Sequence, residues 1–372
     1  MGAALTAAAL LALVGCATPG PTSQGAAAID TSSSAIPPAP PREITLAFGG
    51  DVHFEDYVAR LLDRPDVSLA DLAPTLGAAD FSMVNLETAI TTGGPREDKS
   101  FTFRAPATAL RALQAAGVDA VSLANNHAVD FGATGLSDTL AAKAAGPIPM
   151  VGIGSNAREA YEPVVLDVRG VRVALLAALQ LWDETAIRHS AAEGRAGVAT
   201  SHTPASLTLL REATRTAADS ADLVVVMMHW GTEYATCADA AQAATMSALR
   251  DDGADVIVGG HAHRLQGAGW SGRSYVGYSL GNFVWWRSAE PEARSGVLTL
   301  TVDADAARER GRAAGAARLT PKSLVTRAEW QPMLIGADGV PRPPSDAATT
   351  ARLKGVWDTA VACSGLTPAP PA

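Results

Sequence analysis

The sequence predicts an α/β domain with mixed sheets, and three observations support that prediction. From Glu43 onward, short apolar runs alternate with amphipathic helical stretches, as in chains built from β-α-β units. Two apolar runs, 163–168 and 171–178, are joined only by Arg169-Gly170, which predicts an antiparallel hairpin. Short polar motifs follow several of the runs, at the strand ends where open α/β sheets build their sites.

Strands and helices are assigned from apolar runs and from helical spacing of apolar residues. The predicted strands are 43–49, 80–85, 118–123, 163–168, 171–178, 222–228, 255–259, 274–280 and 296–302. The predicted helices are 69–79, 106–116, 134–145, 205–220, 239–251 and one near 347–361. Residues 181–202 show little periodicity, and we expect them to form a long surface loop.

Composition divides the chain into four segments. Residues 1–15 are apolar and too short to anchor in a bilayer, which predicts a signal peptide. They end in Leu13-Val14-Gly15-Cys16, which resembles a bacterial lipobox, so Cys16 is the expected lipidation site. An ordinary secretory peptide or an uncleaved apolar N-terminus is the alternative. We expect a disordered tether over 16–42, one domain over 43–330, and a C-terminal extension with one helix and a Pro/Ala tail over 331–372.

The overall charge limits the classes of partner. The chain has 372 residues, 48% of them hydrophobic, and a formal net charge of -9. This charge argues against a nucleic-acid-binding protein, because such proteins neutralise phosphates with Lys and Arg. A polyanionic substrate would need a local cationic cluster, since the field of the whole protein would repel it.

The signal peptide and the lipobox-like sequence predict an extracytoplasmic location, on a lipid anchor in the membrane.

Two cysteines, Cys237 and Cys363, remain beyond the lipobox. In an oxidising compartment a disulfide between them would tie the C-terminal helix to the loop that follows Glu233. Because the sequence gives no distance between the two thiols, a pair of free cysteines is the alternative.

Five polar motifs follow predicted strands and contain five of the seven histidines. They are Asp51-Val52-His53, Asn85-Leu86-Glu87, Asn125-Asn126-His127, His229-Trp230-Gly231-Thr232-Glu233 and Gly260-His261-Ala262-His263. Asp51 and His53 are two residues apart in an extended chain, so both side chains point to the same side. His261 and His263 repeat that spacing. Carboxylate, amide and imidazole groups together suit a first-row metal ion.

The order of these motifs resembles the calcineurin-like metallophosphatase signature of Asp-x-His, Gly-Asp, Gly-Asn-His, His and Gly-His-x-His. The resemblance implies two divalent ions, among which spacing does not choose between Mn, Fe and Zn. The first ion would be held by Asp51, His53, Glu87 and His263. The second would be held by Glu87, Asn126, His229 and His261. His127 would stay unligated, as a general acid or a donor to the developing charge.

Further motifs lie in and between these five. They are Asn85-Leu86-Glu87, Ser122-Leu123-Ala124-Asn125-Asn126-His127 with Asp130-Phe131-Gly132, His229-Trp230-Gly231-x-Glu233, Tyr278-Ser279-Leu280-Gly281-Asn282-Phe283 and Phe101-Thr102-Phe103-Arg104-Ala105-Pro106. Over roughly residues 43–300 the chain resembles the CapA family, which is associated with poly-γ-glutamate capsule synthesis. The resemblance implies a four-layer α-β-β-α sandwich of metallophosphatase type with mixed sheets.

Three positions depart from these patterns. Glu87 stands where phosphatases place Asp, so its longer side chain would shift the bridge or weaken one metal site. Asn125 replaces the Gly before Asn126, and Asn tolerates left-handed backbone better than most residues. His53 supplies a ligand that many CapA members lack, which would give this chain an unusually full ligand set.

Three residues are further candidates near the site. Arg104 would hold an anionic substrate group bidentately, or else form a surface salt bridge. Glu233 is expected to support catalysis by orienting a ligand histidine. Asn282 is expected to do similar work or to bind substrate. Trp285-Trp286-Arg287 is either a polymer platform or core residues beside a surface charge.

Two functions stay open. In the first, the chain is an enzyme in which metal-activated water hydrolyses a phosphoester, or an amide or ester bond of a surface polymer. In the second, it is a non-catalytic capsule-assembly protein that binds the growing polymer. The expected partners are an anionic polymer or phosphoester substrate, capsule-synthesis membrane proteins, and the membrane through the lipid anchor.

Overall fold

The computed structural model describes residues 41–313 and 322–370. The predicted signal peptide, Cys16 and nearly all of the predicted tether therefore lie outside the described residues. In chain order the strands are β1 (Glu43–Val52), β2 (Phe81–Leu86), β3 (Ala89–Ile90), β4 (Arg104–Ala105), β5 (Ala120–Ser122), β6 (Met150–Val151), β7 (Ile153–Gly154), β8 (Val164–Val168), β9 (Val171–Leu179), β10 (Gly197–Val198), β11 (Leu223–Trp230), β12 (Val256–His261), β13 (Ala268–Ser271), β14 (Ser274–Gly277), β15 (Asn282–Val284), β16 (Arg294–Asp303), β17 (Val325–Ile335) and β18 (Pro341–Arg342).

Each of the six predicted helices overlaps a helix of the structure. They are α1 (Ala73–Leu76), α2 (Thr108–Ala115), α3 (Gly132–Ala145), α4 (Ala157–Tyr161), α5 (Glu184–His189), α6 (Pro204–Ser220), α7 (Ala240–Asp252), α8 (Ala304–Arg312) and α9 (Ala347–Ala362), with 3₁₀ helices over Asp56–Asp63 and Ala70–Leu72. Within residues 41–313 and 322–370, every helix is too short or too polar to cross a bilayer.

The first large sheet has eight strands. Their order is β18-β17-β16-β1-β2-β5-β6, with β15 beside the end of β1. Strands β1, β2, β5 and β6 run parallel, whereas β16, β17 and β18 are antiparallel to their neighbours. Strand β15 runs parallel to β1 and places Asn282 opposite Asp51. The sheet is therefore mixed, as predicted, and its parallel half carries the first motifs.

The second large sheet has six strands in the order β13-β14-β12-β11-β9-β8. Its four central strands are parallel, and the two edge strands are antiparallel. The predicted hairpin is confirmed as β8 and β9, with Val168 opposite Val171. Arg169 and Gly170 have φ values of 52° and 84°. Positive φ at both central residues is the geometry of the two-residue turns that suit twisted antiparallel strands.

Alternating side chains along the strands build four layers. In β9, Val173 and Leu175 face the core between the two sheets, together with Leu46 and Phe48 of β1. The intervening residues of β9 pack in a second core, which includes Leu210 of α6. A third core covers the other face of the first sheet with α2 and its neighbours. The predicted four-layer α-β-β-α sandwich is confirmed.

Several segments differ from the predicted elements, including the short helix α4, which was not predicted. Residues 181–202 hold α5 and β10, so the expectation of a long loop is wrong. Helix α5 has six residues, too few to show a period, and begins where the Asp183 side chain accepts the Ala186 N–H. Helix α8 and β17 were not predicted either. Strand β17 contains charged residues, becomes a strand by pairing along β16, and crosses the predicted domain boundary at residue 330.

The two cysteines beyond the lipobox form a disulfide. Cys237 and Cys363 bond with a Cα–Cα distance of 5.7 Å across 126 residues of sequence. Cys363 directly follows α9, and Leu353 of that helix lies in the core between the sheets. The C-terminal helix is thus covalently tied to the loop after Glu233, which confirms the pairing that the sequence left open.

Candidate metal centre

Strands from both sheets bring three ligand-type side chains together. Asp51 lies at the end of β1, Glu87 directly follows β2, and His229 lies near the end of β11. One ligand atom from each side chain lies within 4.8 Å of the other two, and all three residues are buried. Two carboxylates and an imidazole at this separation are able to hold a first-row divalent ion.

Glu87 is a buried carboxylate with neither oxygen hydrogen-bonded. Two imidazole nitrogens face its Oε1, His229 Nε2 at 3.6 Å and His127 Nε2 at 3.7 Å. Burial raises the pKa of Glu87 well above its usual value, and the negative charge of Asp51 raises it further. An ionised carboxylate in such surroundings needs a cation beside it. The unpartnered oxygens of Glu87 therefore fit a metal ligand.

Two asparagines hold the carboxylate and the imidazole in place. Asn85 donates from Nδ2 to Asp51 Oδ1 at 2.8 Å, and the same nitrogen lies 3.1 Å from His229 Nδ1. Asn125 donates to Asn85 Oδ1 at 3.0 Å and to the Leu86 carbonyl at 2.9 Å. Asn125 thus fixes the amide orientation of Asn85, which in turn directs His229 Nε2 toward Glu87.

Asn126 and His127 extend this arrangement from the loop after β5. Asn126 Oδ1 lies 2.8 Å from His229 Nε2, so the predicted amide ligand is beside the group. His127 Nδ1 bonds Asp130 Oδ2 at 2.6 Å, which leaves Nε2 facing Glu87. Burial lowers the pKa of His127, and the charge of Asp130 opposes that shift. Lys99 lies 2.6 Å from the other oxygen of Asp130 and also donates to the Asn126 carbonyl.

The turn after β12 folds tightly against Asp51. His261 donates its backbone N–H to Asp51 Oδ2 at 2.9 Å, and a Cβ at Gly260 would lie 2.1 Å from Asp51 Oδ1. Only glycine fits at that position. His261 and His263 both have positive φ, 88° and 49°. Left-handed backbone at residues other than glycine is strained, and such strain is a feature of functional sites.

The two histidine rings of this turn have different surroundings. His261 Nδ1 is buried without a hydrogen-bond partner, so a lone pair or N–H there is free for a ligand. His263 Nδ1 lies 2.8 Å from Asn282 Oδ1 and 3.6 Å from Asp51 Oδ2. Asn282 thus contacts a candidate ligand histidine, and the role predicted for it stays a prediction.

His53 is buried near the group but outside it. Its ring stacks on Phe103, with centroids 4.6 Å apart, and both ring nitrogens face backbone N–H groups. Burial lowers the pKa of His53 well below its usual value, and the charges of His127 and His263 lower it further. The structure therefore brings Asp51, Glu87 and His229 together without His53, whose assignment as a ligand stays a prediction.

Two other predicted residues lie at the periphery. The half-buried Arg104 places its guanidinium over the Phe131 ring, 4.6 Å from the centroid, and lies outside the lining of the two cavities beside the group. Glu233 is exposed and lines both cavities. Over the described part of the chain, its carboxylate makes no hydrogen bond to a histidine ring. The roles predicted for both residues stay predictions.

His127 lies on the lining of two cavities. The first has an aromatic wall, with lining residues that include Phe101, Phe103, Tyr234, Trp285, Trp286 and Arg287. The second is more polar, with lining residues that include Lys99, Trp182, Asp183, Glu184 and His261. Both are lined by Phe101, His127 and Glu233. A substrate reaching the group therefore passes between aromatic and acidic surfaces.

Several residues of the site were not predicted from the sequence to have a role. Asn85, Asp130 and Phe103 stand inside quoted motifs, so their pattern was visible but their hydrogen bonds and ring contacts were not. Lys99 lies in a loop with no periodic or motif signal. Its position beside Asp130 depends on the folding of that loop across α5, where Thr185 also bonds the Asn126 carbonyl at 2.6 Å.

Comparison with solved structures finds distant likenesses. A hypothetical protein from Thermus thermophilus has a TM-score of 0.44 and 16% identity, covering 78% of this chain and 98% of that one. The 5'-nucleotidase from Candida albicans has a TM-score of 0.39 and 11% identity, covering 85% of this chain and 56% of that one.

Curated relatives are more similar in sequence. Capsule biosynthesis protein CapA of Bacillus anthracis is 32% identical over 261 residues, 68% of this chain and 63% of the relative. PGA biosynthesis protein CapA of Bacillus subtilis (strain 168) is 29% identical over 246 residues, 65% of this chain and 63% of the relative. The chain thus spans less than two thirds of the length of these relatives. Residues 45–285 match the family described as bacterial capsule synthesis protein PGA_cap, which is metallophosphatase-like, and the chain belongs to this CapA family.

Proposed function

We propose that this chain is a metal-dependent hydrolase that acts on an anionic polymer or phosphoester in bacterial capsule or poly-γ-glutamate synthesis. The buried Glu87 carboxylate is the observation that supports this most directly. Its oxygens have no hydrogen-bond donor, and they lie beside Asp51 and His229. The positive charge of Lys99 opposes the rise in the pKa of Glu87, but its ammonium pairs with Asp130 and not with Glu87. A divalent ion would neutralise the two carboxylates.

The donor set fits two ions of the Mn, Fe or Zn kind. Carboxylate, amide oxygen and imidazole donors are the ligands that such ions share. The residues that would hold them are Asp51, Glu87, Asn126, His229, His261 and His263. When bound, a pair of ions supplies a water of lowered pKa and stabilises an anionic transition state.

His127 is placed to move a proton. Its Nδ1 bonds Asp130, which leaves Nε2 facing Glu87 on a residue that lines both cavities. From there it would protonate the leaving oxygen or nitrogen of the substrate. Asp130 holds the ring in that orientation and stabilises its positive charge, while Lys99 balances Asp130 when the ring is neutral.

The names of the relatives support the capsule context. The two Bacillus proteins are named for capsule and PGA biosynthesis. The aromatic cavity beside the group, with Arg287 on its lining, provides both apolar surface and a cation for a polymer that carries carboxylates. The aromatic cavity has one cation, Arg287, with two carboxylates on its lining, whereas the polar cavity has one cation, Lys99, with four. We therefore place the anionic part of the substrate on the less acidic, aromatic side.

We further propose an extracytoplasmic location with a lipid anchor at Cys16. The disulfide between Cys237 and Cys363 supports an oxidising compartment, because disulfides are rare where thiols are kept reduced. The lipobox-like sequence that ends at Cys16 supports the anchor. Membrane proteins of capsule synthesis would then be within reach as partners.

A non-catalytic role in capsule assembly is the second candidate. A relative from Mycobacterium tuberculosis, 31% identical over 192 residues, is named a probable polyglutamine synthesis accessory protein. On this alternative the aromatic and acidic cavities would bind the growing polymer or a partner without cutting it, and the buried donor set would be a structural ion site.

The first experiment is elemental analysis of the full chain after loading with Mn, Fe or Zn. We expect about two ions per chain. Glu87→Gln should lose them, because the amide keeps the size but not the charge. Glu233→Gln, a carboxylate at the exposed rim, should keep them and is the matched control.

The second experiment separates the two candidate functions. The loaded chain is tested on a phosphodiester and on a γ-glutamyl amide, with His127→Ala as the variant that keeps metal and loses hydrolysis. Retained metal without hydrolysis of either class would favour the assembly role. Absence of metal after every loading would contradict the enzyme.

A further inference from the structure

His53 packs against three aromatic rings. Phe103 stacks on it with an interplanar angle of 14° and centroids 4.6 Å apart. Trp285 and Trp286 meet it edge-on, at 4.1 and 4.8 Å. The side chain is fully buried, so the ring is held by carbon contacts on several sides.

Both ring nitrogens of His53 face backbone donors. Glu55 N–H lies 3.0 Å from Nδ1, and Trp286 N–H lies 3.4 Å from Nε2. A neutral imidazole has one acceptor nitrogen, and a protonated ring has none. The shorter bond, from Glu55 N–H to Nδ1, engages the lone pair of the neutral ring, and Nε2 then carries the hydrogen, so no lone pair remains for a metal ion.

The other histidines of the site lie closer to the two carboxylates. His127 and His229 each place a ring nitrogen within 3.7 Å of Glu87, and His263 places one 3.6 Å from Asp51. Across the described residues, His53 makes no contact of this kind with either carboxylate. A histidine two residues after Asp51 is therefore turned away from the group that Asp51 belongs to.

We propose that His53 is a positioning residue that fixes the aromatic wall and, through Phe103, the ring of His127, and that it is not a metal ligand. Phe103 lies between two imidazoles, 4.6 Å from His53 and 4.1 Å from His127. Phe103, Trp285 and Trp286 all line the aromatic cavity. The inference rests on the proposed metal centre, whose ions would then be held without His53.

Metal content tests the first half of this proposal. His53→Phe keeps a stacking ring and removes both nitrogens. We expect the full chain with this variant to retain the same number of Mn²⁺ ions as the wild type, with affinity within about twofold, whereas His229→Ala loses metal. Loss of one ion per chain, or affinity more than tenfold weaker in a variant that circular dichroism shows to be folded, overturns the proposal.

Ring-nitrogen NMR of ¹⁵N-histidine-labelled full chain tests the same half without depending on activity. We expect His53, assigned by comparison with His53→Phe, to show one hydrogen-bonded acceptor nitrogen that does not shift when Zn²⁺ is added. The resonances of His229 should shift. A shift of His53 on zinc addition overturns the proposal. If no resonance shifts, the metal centre itself fails, and the zinc-free spectrum alone decides whether backbone N–H groups occupy His53.

Kinetics test the positioning half. His53→Ala leaves a ring-sized gap in the aromatic wall, and we expect its metal content to be unchanged. On whichever of the phosphodiester and the γ-glutamyl amide is hydrolysed, KM should rise more than about fivefold. The kcat should also fall, because the ring of His127 is less well positioned. His53→Phe should restore KM toward the wild type, because it refills the gap. Wild-type kinetics in His53→Ala would show that the ring positions nothing.

Discussion

Asn85 Nδ2 lies 2.8 Å from Asp51 Oδ1 and 3.1 Å from His229 Nδ1, so one amide group joins the two sheets at the metal centre. Asp51 comes from the first sheet and His229 from the second. The buried amide therefore contacts two proposed ligands that come from different sheets.

Asn85→Ala is expected to weaken Mn²⁺ binding by about 10- to 100-fold, the usual effect of removing a group that orients metal ligands. The dissociation constant, measured by titration of the metal-free chain, checks this. Asn156→Ala is the matched control, because Asn156 caps α4 away from the site and its loss costs stability but not metal affinity. Equal Mn²⁺ affinities in the two variants would show that Asn85 does not orient the metal ligands.

Gly260→Ala should displace Asp51, because the added Cβ would lie 2.1 Å from Oδ1. We expect metal content below one ion per chain in a variant that still folds. Gly355→Ala is the matched control: a Cβ there meets no atom within 4 Å, and alanine in the middle of α9 should stabilise the chain by about 0.5–1 kcal/mol. Full metal content in Gly260→Ala would mean that Asp51 is not a ligand.

Glu87 should make the metal-free protein less stable as pH rises. Its folded pKa is raised, so the protonated carboxyl is favoured in the folded state. The stability this gives is complete below the unfolded pKa of 4.5 and is lost as pH rises through the folded value, at about 1.4 kcal/mol per unit of difference. At pH 7 with a chelator, Glu87→Gln should therefore be more stable than the wild type.

Urea unfolding of both proteins across pH measures this difference. Adding Mn²⁺ should reverse the order, because only the wild type gains binding energy from the ion. Parallel pH profiles with and without the carboxylate would show that Glu87 is already stabilised by protein groups alone.

The disulfide should stabilise the fold strongly, since it closes 126 residues of chain. The double variant Cys237→Ser with Cys363→Ser is expected to lose about 2–5 kcal/mol of unfolding free energy. Denaturant titration measures the loss, and the wild type under reductant should match the variant. A midpoint that ignores both treatments would show that the bond forms without constraining the chain.

Cys16 should carry a lipid. In the native host, mass spectrometry of the N-terminal peptide is expected to find a modified Cys16 as the first residue, and Cys16→Ser should move the protein out of the membrane fraction. Cys237→Ser, which leaves the lipobox intact, should stay in that fraction. An unmodified Cys16 in membranes would point to a different anchor.

Much of the site was predictable because its residues follow strands in a fixed order. Glu87 and His229 could be placed at one edge of the sheets from apolar runs alone, since parallel strands end at a common edge. The environment of each side chain could not be placed in this way. His53 shares the i, i+2 spacing that predicts a common side with Asp51. Its ring nevertheless packs against Phe103, Trp285 and Trp286, which come from distant parts of the chain.

The layered α/β fold, the order of the motifs and the family could all be read from the amino-acid sequence, because periodicity and motif order are local properties of a chain. Three other facts required the folded chain: Cys237 meets Cys363, Glu87 has no hydrogen-bond donor, and Lys99 lies on Asp130. They depend on distances between segments far apart in sequence, and on which groups burial strips of water.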